Sequence, residues 1–289
     1  MNTFFNDKQA AAYAEKLYEA KLESLNIQYE YKQIETTFGL TNIVIAGTVN
    51  KPPLLLIHGS NGCAPIAIEA LMELLNDYRV YAVDVIGQPN KSEASRLNLM
   101  NDDYGKWIYE ITARLNLNNL TIVGISFGGF ISYKALLYDE SKIKNAFLIV
   151  PAGIINGNPF KAILKVFLPM KLYKKTRNKK YVHRFLNVLF TEKDKFAIQF
   201  LSIIFLHFDM DFSPIPLITK KEAARIKTPI YFIASKKDLF FPGEKLLKRV
   251  SKIFPSLTGT HLLENSKHVP STLDNRKICM LIKNANKLN

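Results

Sequence analysis

Residues 120–129 read LTIVGISFGG, an apolar run that meets three glycines and a serine. Leu120, Ile122, Val123 and Ile125 supply the run; Gly124, Ser126, Gly128 and Gly129 interrupt it. The FISYKALL that follows is apolar at helical spacing, so the stretch predicts a strand, a tight turn and a helix, with a hydroxyl at the turn. Gly124-x-Ser126-x-Gly128 is the spacing of a nucleophile elbow, where a serine in a strained backbone conformation points its oxygen out of the sheet. A Cβ at Gly124 or Gly128 would collide with the neighbouring strand or helix. The same spacing also fits a glycine-rich turn with a passenger serine. The buried strand before it and the helix after it favour the elbow, and its partners must be sought elsewhere in the chain.

Upstream, the segment 1–28 reads as an amphipathic first helix, with Ala14, Leu17, Tyr18, Leu22 and Leu25 on one face. YEYKQIETTFG and LTNIVIAGTV follow as two strands joined by a turn near Phe38 and Gly39. KPPLLLIHGSNG sets Pro52 and Pro53 before a continuous apolar run, the pattern of a strand buried on both faces, and ends in the turn His58-Gly59-Ser60-Asn61-Gly62. AIEALMELLN predicts an amphipathic helix, RVYAVDV a buried strand, and DYGKWIYEITARL a helix that leads into the elbow strand. KNAFLIVPAG is one more strand after the elbow helix.

From Ile154 to about Arg225 the alternation breaks. No strand pattern is present there, only basic and aromatic helical patterns punctuated by Pro159, Pro169, Pro214 and Pro216. TPIYFIASKKD, a helix near 243–253, GTHLLEN and a last helix from about Leu273 resume it. The plan is α/β: a mostly parallel, eight-stranded sheet with helices on both faces, from residues 1–153 and 226–289, with 154–225 as a helical cap insertion.

At 289 residues and 48% apolar, the chain can bury one sizeable core plus an insertion. Cys63 and Cys279 lie far apart and offer neither a disulfide framework nor metal-ligand spacing, which fits a reducing compartment. The N-terminus lacks the apolar core of a signal peptide, and FAIQFLSIIFLHF is too short to span a bilayer, so the expected setting is soluble and cytoplasmic. The net charge is +14, and nine Lys and Arg with no Asp or Glu fall between Gly157 and Phe190; the rest of the chain carries 30 basic against 25 acidic residues. No nucleic-acid reading element accompanies this charge. It reads either as a solvated helical face or as an electropositive rim that attracts anionic substrates or a lipid surface.

A serine hydroxyl needs a base within hydrogen-bond reach. Of five histidines, His58 follows a strand in a tight turn, His183 and His207 lie in the insertion, and His261 lies inside the last strand. His268 occupies a polar loop just after that strand, at the carboxyl edge where sites of open α/β sheets collect. It is the candidate base. The imidazole in turn needs a carboxylate, and Asp238 ends the strand TPIYFIASKKD at the same edge. Asp238 also fits a turn or helix cap, and Asp84, which ends a strand before the serine, stands in reserve. Backbone N–H groups of Phe127, just after the serine, and Ser60, in the HGSNG turn, are the candidate oxyanion donors.

HGSNG, GISFGG, the Asp238 loop and the SKH at His268 resemble the α/β-hydrolase superfamily over about residues 30–289. The chain order Ser126, Asp238, His268 is the order of that fold. VYAVDVIGQPNKS and the helical N-terminal extension are similar to a bacterial carboxylesterase-like branch. The resemblance implies hydrolysis of a small-molecule ester or a related acyl compound by a Ser-His-Asp triad under a helical cap, with no metal or cofactor. NSKH departs from the N-x-G-H frequent among relatives and sets Lys267 beside the base. The expected substrate is a small or medium apolar carboxylic ester. A lipase or acyl thioesterase with anionic substrates under the basic cap is a second reading, and a non-catalytic hydrolase-fold binding protein is a third. Phe160, Phe167, Phe185, Phe205 and Phe208 are candidates to line an acyl pocket, and their helical spacing equally fits a core.

Overall fold

Strands β1 (Tyr29–Thr36), β2 (Gly39–Gly47), β3 (Pro53–Ile57), β4 (Arg79–Val83), β5 (Leu120–Ile125), β6 (Ile143–Ile149), β7 (Ile230–Ser235) and β8 (Leu257–Leu263) form one sheet in the order β1-β2-β4-β3-β5-β6-β7-β8. The structure is a computed structural model and describes residues 4–287. β2 pairs antiparallel with β1 and β4, and every pair from β4 to β8 is parallel. The parallel strands therefore end at a common edge, which gathers the loops after β3, β5, β7 and β8.

The continuous apolar runs are explained by burial on both faces. Along β3, Leu55 and Ile57 join one core cluster while Leu54 and Leu56 join the other. The first cluster is covered by α3 (Asp103–Arg114), α4 (Phe127–Tyr138) and α10 (Gly243–Ile253), through Trp107, Phe130 and Leu246 among others. The second is covered by α1 (Lys8–Ser24), α2 (Ala64–Ala70) and α11 (Thr272–Lys287), through Tyr18, Ile68 and Ile278. Asp7 starts α1 by accepting from the N–H groups of Gln9 and Ala10. The helix buries Ala14, Leu17, Tyr18 and Leu22, whereas Leu25 caps its end. The segment expected as a single helix after the HGSNG turn divides: α2 stops at Ala70, and a 3-10 turn follows at Met72–Asn76. Leu71, at φ −123° and ψ 31°, leaves the helical region between them.

Between β6 and β7 the chain forms α5 (Pro159–Ala162), a π-helical turn (Ile163–Phe167), α6 (Leu168–Thr176), α7 (Lys180–Leu189), α8 (Lys195–His207) and α9 (Lys220–Ala223). The sequence gives no sign of the π turn, where the Leu168 N–H reaches the Ile163 carbonyl five residues back. Pro169 follows at once; it has no N–H, and its ring excludes the regular ladder with Lys165. These helices have their own apolar core, with Val166, Met170, Phe185, Phe200 and Phe205 buried, and Ala14 and Leu17 of α1 joining it. Two isolated bridges that the sequence did not predict tie the segment down: Phe208 to Phe5, and Phe190 to Val269.

Candidate active site

Ser126 stands between β5 and α4 with φ +54° and ψ −112°, a combination that costs a non-glycine residue strain. The turn is held from several sides. The Ser126 N–H donates to the Ile149 carbonyl at 2.9 Å, and the Ser126 carbonyl accepts from Gly129 at 2.9 Å and Ala152 at 3.0 Å. A Cβ on Gly128 would strike the end of β3 at the Ile57 carbonyl, and one on Gly124 would strike the Gly128 carbonyl and the Ser132 hydroxyl. The glycines are there because the helix start is pressed onto the strand ends.

The three polar residues singled out at the sheet edge meet. Ser126 Oγ lies 3.0 Å from His268 Nε2, and His268 Nδ1 lies 2.8 Å from Asp238 Oδ2. The Asp238 side chain has no exposed surface, and its other oxygen accepts from the N–H groups of Phe240 at 2.8 Å and Phe241 at 3.1 Å. With one oxygen occupied by the turn, the other is left to the imidazole. The Nδ1–H therefore points at the carboxylate, and Nε2 keeps a lone pair for the Ser126 hydroxyl. The rings of Phe240 and Phe241 stand edge-on to the imidazole at 5.3 and 5.5 Å.

Asp84, the reserve carboxylate, points elsewhere. It is fully buried, and accepts from the Ala64 N–H at 2.8 Å, the Asn42 amide at 2.8 Å and the Tyr18 hydroxyl at 2.9 Å. It thus joins α1 and α2 to the end of β4. Burial outweighs these bonds and pushes its carboxyl up to about 6. His58 is also internal. Its Nε2 accepts from the Val85 N–H at 2.9 Å, so its Nδ1 carries the proton and donates to the Gly59 carbonyl at 2.7 Å. Burial pushes this imidazole down to about 4, which keeps it neutral. Its work is to shape the turn that faces the serine.

Gly59 has a role that the sequence reading missed. A Cβ there would press on Ser126 Cβ at 3.2 Å and come into contact with Ser126 Oγ at 3.7 Å, so the glycine keeps the space in front of the serine open. A glycine directly after the strand-ending histidine was the available signal. Ser60 is exposed beside it in the turn closed by the Gly62 N–H on the Gly59 carbonyl, at 3.2 Å. The Phe127 N–H opens α4, outside the helix's own hydrogen-bond ladder.

The five candidate pocket phenylalanines do not gather in one lining. Phe160 is 76% exposed and Phe167 40% exposed. Phe185 and Phe205 pack edge-to-face at 4.8 Å inside the insertion, and Phe208 packs on Phe5 at 5.1 Å. Lys267 turns away from the imidazole, and its ammonium donates to the Asn187 carbonyl at 2.7 Å. Among the described residues no group of three or more His, Cys, Asp or Glu stands where it could hold a metal ion.

A mostly parallel sheet that carries a serine on a strained strand-to-helix turn, with a histidine and an acid delivered from later strand ends, is the architecture of α/β hydrolases. A family profile described as the alpha/beta hydrolase fold matches residues 52–192. An uncharacterized carboxylesterase, nap, from Bacillus subtilis is 25% identical over 254 residues, covering 82% of this chain and 80% of its own length. The crystal structure of naproxen esterase from Bacillus subtilis superposes with a TM-score of 0.80 at 21% identity, covering 93% of this chain and 95% of its own. That of carboxylesterase CesB (YbfK) from the same organism gives 0.82 at 18% identity, over 95% and 97%. The fold is that of the α/β hydrolases, and over most of its length the chain is similar to bacterial carboxylesterases.

Proposed function

We propose that the chain hydrolyses small or medium apolar carboxylic esters through an acyl-enzyme on Ser126. The observation that carries this reading is the unbroken line Asp238–His268–Ser126, at 2.8 and 3.0 Å, ending on the hydroxyl at the strained turn. In the first half-reaction Ser126 Oγ attacks the ester carbonyl while His268 Nε2 takes its proton. Phe127 and Ser60 direct backbone N–H groups at the developing oxyanion. The imidazolium, stabilised by Asp238, then protonates the leaving alcohol as the C–O bond breaks. In the second half-reaction His268 takes a proton from water, the hydroxide attacks the acyl-enzyme, and the carboxylic acid leaves as Ser126 regains its proton. The names of the relatives, carboxylesterases and a naproxen esterase, support an ester as substrate.

The test is turnover of a p-nitrophenyl ester series from acetate to decanoate, together with fluorophosphonate labelling. Turnover greatest on the shorter esters, with a single label on Ser126, is the expected result. A label on another serine overturns the assignment of the nucleophile, and no turnover across the series overturns the ester reading.

A further inference from the structure

The helix that opens the insertion has two apolar faces, and the fold buries one of them. Val166, Met170 and Tyr173 point into the insertion's own core and are 2%, 7% and 4% exposed. Phe160, Ile163, Leu164, Phe167 and Leu168 repeat at the i, i+3, i+4, i+7, i+8 spacing of a single stripe, and all five are exposed. Phe160, Leu164 and Ile163 reach 76%, 64% and 52%. Phe212, from the stretch after α8, extends the stripe by packing edge-on against Phe167 at 5.5 Å, and is itself 55% exposed. Contiguous apolar side chains exposed along one face mark an interaction site rather than scattered exposure.

The surroundings of the stripe say what it meets. Lys161 and Lys165 lie between its members, and Lys171, Lys174 and Lys175 follow along α6; all five are exposed. The nine Lys and Arg between Gly157 and Phe190 make no ion pair with an acidic side chain among the described residues. Of the two carboxylates in the adjoining stretch, Asp209 pairs with Arg96 at 3.2 Å, and Asp211 accepts from the Ser213 N–H at 2.8 Å. Apolar side chains along one face of a helix with lysines between and beside them are the pattern of a segment that lies in the headgroup region of an anionic bilayer. No helix among the described residues is long and apolar enough to cross a membrane, so the contact is one of surface and not of span.

We infer that the stripe from Phe160 to Leu168, with Phe212 and the lysines around it, docks the protein on an anionic lipid surface. The stripe enters the boundary between headgroups and acyl chains while the lysines face the lipid phosphates. The inference does not depend on the esterase reading, because docking needs no turnover.

The experiment is co-sedimentation of the full chain with phosphatidylcholine vesicles and with mixed phosphatidylcholine–phosphatidylglycerol vesicles. The expected result is binding at least about tenfold tighter to the mixed vesicles, since each lysine near an anionic surface contributes roughly fivefold. It should weaken sharply between about 0.1 M and about 1 M salt, as the screening length falls from about 10 to about 3 Å. Ile163→Glu with Leu164→Glu, both on the exposed face, should abolish binding and leave the thermal melt and p-nitrophenyl acetate turnover unchanged. Lys171→Glu with Lys174→Glu and Lys175→Glu should remove the preference for phosphatidylglycerol. Ser126→Ala should bind vesicles as the parent does, which separates this test from that of catalysis. Equal binding to both kinds of vesicle would overturn the anionic assignment. Absence of binding would overturn the docking itself, as would a dimer in solution that Ile163→Glu with Leu164→Glu dissociates.

Discussion

Thr191 holds the backbone on both sides of His268. Its hydroxyl accepts from the Lys267 N–H at 2.9 Å and donates to the Val269 carbonyl at 2.7 Å, so the histidine sits between two residues pinned to one side chain. The Thr191 N–H bonds the same Val269 carbonyl at 3.0 Å, and the Val269 N–H bonds the Leu189 carbonyl at 2.8 Å. The loop that presents the imidazole is thus held by the insertion as well as by the sheet.

This makes Thr191 a positioning residue, and its removal should be read in rate rather than in substrate binding. Thr191→Val keeps the shape but loses both hydroxyl bonds. A catalytic group misplaced by about 1 Å costs up to about 100-fold in rate, so kcat should fall about 10- to 100-fold while KM changes little. Thr191→Ser should restore most of the rate because it restores the hydroxyl. Equal loss in Thr191→Val and Thr191→Ser, or a change confined to KM, would show that the bracket does not act through His268.

The strain at Ser126 predicts that two inactive variants differ in stability. Ser126→Ala and Ser126→Gly should both lose ester hydrolysis by several orders of magnitude. They should differ in stability. Alanine inherits the strain of φ +54°, whereas glycine does not. Relief of about 1–3 kcal/mol, less about 0.5–1 kcal/mol for glycine's greater freedom in the unfolded chain, leaves Ser126→Gly ahead by about 1 kcal/mol. Thermal melts should place it about 2 °C above Ser126→Ala. Equal melting temperatures would show that the turn is unstrained.

Asp238→Asn tests the orienting carboxylate. The amide oxygen can still accept from Phe240 and Phe241, which turns the amide NH2 toward His268 Nδ1, where a donor now sits. The imidazole must then carry its proton on Nε2 and cannot accept from Ser126. A drop in kcat of about 1,000- to 10,000-fold is expected, with the fold retained. Asp84→Asn should cost far less activity, because Asp84 faces Ala64, Asn42 and Tyr18 and not the imidazole. If Asp84→Asn proves the costlier change, Asp238 is not the partner of the base.

The residues of this site were legible in sequence to different degrees, for physical reasons. Ser126 and Asp238 each follow a buried apolar strand and His268 follows the mixed strand LTGTHLL, so the alternation of strands and helices places all three at one edge without any knowledge of contacts. Thr191 could not be found that way, since its bond to Lys267 spans 76 residues of chain and follows no periodicity. The phenylalanines of the insertion show the limit of helical spacing, which groups residues on a face but does not say what covers it. Phe185 lies inward and Phe160 outward on helices with equally apolar patterns. The split of the segment after the HGSNG turn into a helix and a 3-10 turn leaves no mark in the sequence, because AIEALMELLN is apolar at helical spacing throughout.

Asp84 and His58 titrate with opposite effects on stability. The Asp84 carboxyl is raised from about 3.9 in an unfolded chain to about 6 in the fold, so the folded state holds its proton longer. Its contribution therefore becomes unfavourable as pH climbs from about 4 to about 6, with a slope of at most about 1.4 kcal/mol per pH unit. His58 is lowered from about 6.5 to about 4, so its contribution is present above about 6.5 and is lost as pH falls toward 4. In the parent chain the two slopes partly cancel between pH 4 and 6. Asp84→Asn removes one of them and leaves the other. Whatever the variant loses overall from its altered bonds to Asn42 and Tyr18, its unfolding free energy should rise more steeply with pH across this window than the parent's. Urea unfolding at a series of pH values reads that slope directly. Parallel curves for parent and variant would mean that Asp84 titrates at its ordinary value despite its burial.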